Sequence, residues 1–139
     1  MKIDDAAKYL QTELLKRGMI IHRYNAYSTN SIYLKLDWGV MNSIRISDHK
    51  GYDHLSYRYN VDANYRGIKG IWKKDSKGYW KYFIGIDKNS LDILIQLLME
   101  SKFKKQTFYN YEELIIKYKQ ESKNAKGFWQ KAWEVTLNE

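Results

Sequence analysis

The sequence predicts an α+β domain: an N-terminal helix, an antiparallel sheet of about five strands, then C-terminal helices. Three observations predict it. Apolar residues recur at helical spacing over the first 17 positions, alternate with period two across the middle of the chain, and return to helical spacing after position 90. The order is helix, strands, helices, with no repeated βαβ unit, so helices and strands are segregated. The 139 residues fit one domain, 1–139, with no linker, repeat or low-complexity tract.

Each element has its own signal. Ile3, Ala6, Ala7, Leu10 and Leu14 share one helical face. Asp4 or Asp5 can cap its start and Gly18 its end, giving a helix over 4–17. Met19–Tyr24 reads as a short strand. Ile32, Leu34 and Leu36 alternate with Tyr33, Lys35 and Asp37, and Trp38-Gly39-Val40 turns the chain. Ile44 and Ile46 alternate with Ser43, Arg45 and Ser47. After a loop around Gly51, Leu55, Tyr57, Tyr59 and Val61 alternate with Ser56, Arg58 and Asn60. These strands form a meander with one dry and one wet face. A second hairpin joins 71–73 to 79–84 through a turn at 74–78.

Asp87 or Ser90 then caps a helix whose face, Leu91, Leu94, Ile95 and Leu98, is widened by Ile93 and Leu97, the pattern of a deeply buried helix. Asn110 with Glu113 fits a capping box, and Tyr109 with Leu114 a hydrophobic staple. Tyr111, Leu114, Ile115 and Tyr118 give that helix its stripe. Phe128, Trp129 and Trp133 suggest a last helix over 125–135.

Composition narrows the function. With 44% hydrophobic and 29% charged residues the chain is not of the disordered class. Its longest apolar run, 91–99, is interrupted by Asp92 and Gln96, too short and too polar for a membrane span. The N-terminus has no apolar signal segment, which points to the cytoplasm. Cysteine is absent, which excludes disulfides, thiol nucleophiles and iron–sulfur clusters. Proline is absent as well, so turns fall to Gly, Asn, Asp and Ser.

The formal net charge is +8, and the excess is densest in residues 61–90, with seven basic residues against three acidic. Such a chain suits nucleic acid, a nucleoprotein or an acidic partner. Thirteen Tyr and five Trp accompany the charge. Aromatic rings stack on exposed bases while Lys and Arg neutralise phosphates. The candidate binding residues are Tyr33, Arg45 and Arg58 on the polar phase of the meander, and Arg66, Lys69, Trp72, Lys73, Lys74, Lys77 and Lys81 in the second hairpin region. The meander residues are expected on an open face. The competing expectation is that Phe128–Trp133 covers them and Tyr33 is core.

Other chemistry is weakly signalled. Asp48-His49 and Asp53-His54 bracket one loop and suit a metal or a general base, but turns favour Asp for local reasons. Asp37 with Asp48-x-Lys50 mimics a metal-dependent nuclease, with the D-x-K in a turn rather than a strand. Nucleophile elbows, P-loops and dinucleotide fingerprints do not occur. These observations predict no catalytic residue, metal or cofactor.

Asn42-Ser43-Ile44-Arg45-Ile46-Ser47-Asp48-His49, with Ser31-Ile32-Tyr33-Leu34 before it, resembles a segment of small phage and mobile-element proteins of low-GC Gram-positive bacteria, the anti-defence (anti-CRISPR) class above all. The resemblance covers about residues 30–60. It implies a non-enzymatic inhibitor, monomer or homodimer, in the bacterial host cytoplasm, acting on a CRISPR effector with its guide RNA. A chain this basic does not mimic duplex DNA, because a mimic replaces phosphates with acidic groups. The alternatives are a nucleic-acid-binding phage accessory protein, a metal-dependent nuclease, and a sponge for a nucleotide signal.

Overall fold

Residues 3–16 form α1 (Ile3–Lys16), because Ile3, Ala6, Ala7, Leu10 and Leu14 present one buried face. The computed structural model describes residues 2–26, 30–37, 39–47, 54–59, 72–75, 78–84, 86–108 and 110–137. The cap of α1 differs from expectation. Lys2 occupies the N-cap, and Asp5 accepts its backbone N–H at 3.4 Å. Asp4 and Asp5 sit instead in the first turn, where acidic groups favour the helix dipole. The helix ends as expected at Gly18, whose φ of +84° suits a residue without Cβ.

Among the described residues seven strands form one antiparallel sheet: β1 (His22–Asn25), β2 (Ser31–Leu36), β3 (Gly39–Ser47), β4 (His54–Tyr59), β5 (Trp72–Asp75), β6 (Gly78–Ile84) and β7 (Trp133–Glu134). Their order is β5-β6-β4-β3-β2-β1-β7. The α+β class holds, and the sheet is wider than the five strands expected. β3 begins at Gly39, inside the anticipated turn, with a register shift at Lys35/Leu36. Pairing in the second hairpin runs on to Asp75↔Gly78, further than a turn over 74–78 allows. The loop expected around Gly51 lies outside the described residues.

Helix α2 (Lys88–Phe108) starts at Asp87, whose Oδ1 accepts the Ser90 N–H at 2.8 Å. Leu91, Leu94, Ile95 and Leu98 are buried, but Ile93 is 43% exposed. The expectation of a deeply buried helix is therefore corrected: α2 packs by one stripe, and Ile93 and Phe103 face solvent. Helix α3 (Tyr111–Lys123) is capped by Asn110, which accepts the Glu113 N–H at 3.2 Å. The expected Tyr109–Leu114 staple lies outside what is described. Residues 125–135 do not form an α-helix. They make a 3₁₀ turn (Gly127–Lys131) and then β7, which pairs with β1.

Strand alternation sorts the molecule into layers. Ile32, Leu34, Ile44 and Ile46 join α1, α2 and Val135 in the main core. On the other face, α3 and the 3₁₀ turn lie over β1–β3, where Trp129 meets Tyr33 and Tyr118 meets His22. No described helix is long and apolar enough to cross a membrane.

Candidate functional site

The polar phase of the sheet holds the candidate site, and cross-strand register assembles it. One row runs Lys73↔Trp80, Trp80↔Arg58, Arg58↔Ser43, Ser43↔Lys35 and Lys35↔His22. The next runs Tyr82↔Ser56, Ser56↔Arg45, Arg45↔Tyr33 and Tyr33↔Tyr24. Residues directly opposite in a sheet share a face, and alternate residues along a strand do too. Tyr33, Arg45, Arg58 and Lys73 therefore belong to one phase. Trp72, Lys74 and Lys81 belong to the other, since Trp72↔Lys81 continues to Tyr57 and Ile44 of the core phase. The hairpin cluster read from the sequence is thus divided between two faces. Arg66, Lys69 and Lys77 lie outside the described residues.

Arg45 and Tyr33 are a working pair. The guanidinium sits over the Tyr33 ring at 5.8 Å, and Nη2 donates to Ser31 Oγ at 3.4 Å. Among the described residues its buried Nε has no hydrogen-bond partner. The cation–π contact holds the guanidinium beside the ring and uses none of its N–H donors. Tyr33 is half-buried, edge-on to Trp129 with ring centroids 6.2 Å apart. The expectation of an open face across β2 is thereby corrected: the C-terminal segment covers it, because Trp129 needs an apolar seat and finds one on Tyr33.

Lys35 is the residue this covering changes most. It lies on the polar phase as expected, yet it is only 4% exposed. Its ammonium faces the rings of Trp129 at 5.2 Å and Tyr118 at 5.7 Å. Burial pulls its pKa below the ordinary lysine value, and Glu121 works the other way. Tyr118 is fully buried, and its hydroxyl meets His22 Nδ1 at 2.5 Å. Burial raises the Tyr118 pKa beyond the tyrosine range, so the hydroxyl stays protonated. His22 is held below its ordinary value by burial and by the charge of Lys35.

Asp37 has a different setting. It is wholly buried, and Lys102 Nζ reaches its Oδ2 at 3.0 Å. The Ile20 N–H donates to its Oδ1 at 2.6 Å, and the Tyr111 hydroxyl donates to Oδ2. Lys102 also donates to the Gly18 carbonyl at 2.7 Å. The carboxylate expected to serve a nuclease is thus engaged on both oxygens in the interior. Asp48 and Lys50 lie outside the described residues. Among the described residues, no three His, Asp or Glu side chains converge on a metal position.

Sequence reasoning had singled out Tyr33, Arg45 and Lys73 but not His22, Tyr118, Ser122 or Trp129 as a group around Lys35. The available signal was the Phe128-Trp129 pair following a helix with Tyr118 in its apolar stripe. Comparison with known proteins finds no matching family model, and no significant match among curated proteins or solved structures.

Proposed function

We propose that this chain is a non-enzymatic binding protein whose partner is a bacterial ribonucleoprotein, gripped at its RNA by the polar sheet phase of Tyr33, Arg45, Arg58 and Lys73. The observation that carries this reading is Arg45, half-buried on the polar phase of the sheet with its guanidinium over the Tyr33 ring. Such a guanidinium reaches planar or phosphate acceptors with little loss of conformational freedom. Register sets Arg58 and Lys73 in the same phase, with Trp80 and Tyr82 positions between and beside them. Alternating cations and rings suit a single strand with splayed bases. The resemblance of residues 30–60 to phage anti-defence proteins makes a CRISPR effector with its guide RNA the partner to try first. The nuclease alternative is not favoured, because Asp37 is committed to Lys102 and Tyr111.

Pull-down from a bacterial lysate, with and without RNase, tests the partner class. A dominant ribonucleoprotein that is lost on RNase treatment supports the proposal. The surface is tested by fluorescence anisotropy on labelled single-stranded RNA over a series of salt concentrations. Arg45→Ala and Lys73→Glu should each weaken binding and flatten its salt dependence, since each removes a phosphate contact. Lys74→Glu, in the opposite phase, should cost no more than its change in net charge implies. Equal losses from Lys73→Glu and Lys74→Glu, with folds intact by circular dichroism, would remove the surface from consideration.

A further inference from the structure

Lys35 forms the floor of a pocket of about 100 Å3 between β2, α3 and the 3₁₀ turn, walled by Tyr118, Glu121, Ser122, Lys126 and Trp129. That volume is well below the several hundred Å3 of pockets that take drug-sized ligands, so it admits one compact group rather than a nucleoside.

The floor is unusual in what it lacks. Lys35 is only 4% exposed, yet among the described residues its ammonium makes no hydrogen bond and no ion pair. Two ring faces offset part of the desolvation of a buried cation. They offer no lone pair in the plane of a good N–H···O bond, so its donors are left to face the pocket. Ser122 adds a hydroxyl beside it. Its buried Oγ lies against the Tyr118 hydroxyl and works to lower that pKa. Lys126 stands exposed at the rim. Glu121, also exposed, lines the wall with the opposite charge, leaving the lining with two cations and one anion.

We propose that this pocket is a binding site for a single phosphate group, seated on the Lys35 ammonium with Ser122 donating from the side and Lys126 closing the mouth. A compact, highly charged oxyanion is what these groups have in common. It supplies acceptors for the buried ammonium and the hydroxyl at once, and its charge offsets a desolvated cation. The phosphate comes either from solution or from the end of a nucleic-acid strand. The pocket is separate from the Arg45–Tyr33 row, and its occupancy is readable without RNA.

The experiment titrates the full chain with inorganic phosphate against chloride of equal ionic strength, following tryptophan fluorescence and thermal denaturation. Saturable quenching or enhancement with a rise in Tm, specific to phosphate, is expected. Lys35→Met keeps the length of the side chain between the two rings and should fold. Its affinity should fall by roughly tenfold or more, the loss of a charge-assisted contact. Ser122→Ala, smaller and less disruptive, should lower affinity severalfold with the melt in buffer unchanged. It settles the matter should Lys35→Met unfold. No phosphate-specific response in the wild type, or equal affinity in the wild type and Ser122→Ala together with a folded Lys35→Met, would overturn the site. A further arm compares a short 5′-phosphorylated oligoribonucleotide with its 5′-hydroxyl twin. Competition with inorganic phosphate by the first alone assigns a strand end, and competition by neither assigns free phosphate.

Discussion

Lys35 and Asp37 stand two positions apart in the chain, both buried, and the protein treats them in opposite ways. Asp37 is enclosed by Lys102, the Ile20 N–H and the Tyr111 hydroxyl, so both of its carboxylate oxygens are engaged. Lys35 has aromatic walls and, among the described residues, no acceptor. The first arrangement ties three elements together: the chain after α1 through Gly18 and Ile20, α2 through Lys102, and α3 through Tyr111. The second leaves bonding capacity at the floor of a cavity. A closed set of buried charges acts as a fastener, whereas an open one is available for a ligand.

The comparison is broken most directly at Lys102. Lys102→Met leaves the Asp37 carboxylate buried without its cation, and should cost about 3–5 kcal/mol in denaturant unfolding. Replacing both partners, Asp37→Leu with Lys102→Met, should recover much of that loss, because the penalty comes from the orphaned charge. A Lys102→Met variant as stable as the wild type would show that the two charges are not treated differently.

A smaller effect is expected in the pH dependence. His22 faces Tyr118, Lys35 and Glu134. Burial first, and Lys35 second, hold its pKa below the ordinary value, with Glu134 opposing. The unfolded chain therefore takes up the proton more readily than the native one. Stability should fall as pH drops through about 6.5, the unfolded histidine value, and level off below the lowered native value. His22→Gln should flatten that part of the profile. Lys35→Met should shrink it, since one of its two depressing causes is gone. A profile in which neither variant differs from the wild type would detach Lys35 from His22.

The smallest effect belongs to Lys35→Met itself. Removing an unpaired buried cation orphans nothing, so stability should stay within about 1 kcal/mol of the wild type or rise. A loss as large as that of Lys102→Met would mean that Lys35 is a fastener too.

Much of the fold was legible because its signals are local. Period-two alternation placed β2, β3 and β4, and the Asp87 and Asn110 caps fixed where α2 and α3 begin. The misreadings arose where distant packing decides. Ile93 looked apolar enough to bury, but the core reaches one stripe of α2 only. Phe128, Trp129 and Trp133 have helical spacing, yet pairing with β1 extends the chain after Lys131. The candidate site divided the same way. Alternation was enough to set Tyr33, Arg45 and Arg58 in one phase. The burial of Lys35 depends on α3 and the 3₁₀ turn docking over it, which no pattern around position 35 encodes. The hairpin cations looked like one patch because counting charges along a strand ignores that neighbours fall on opposite faces.

The short pairing of β7 with β1 sets an order of events. Arg23 and Trp133 lie about 110 positions apart, and β7 meets β1 at only two residue pairs. Closing so long a loop costs entropy that two residue pairs and Val135 return only once they are made, which favours forming this hem after the rest of the sheet. Trp129 sits just before the hem. An opening of the hem would lift Trp129 from Lys35 and let water onto the lysine floor.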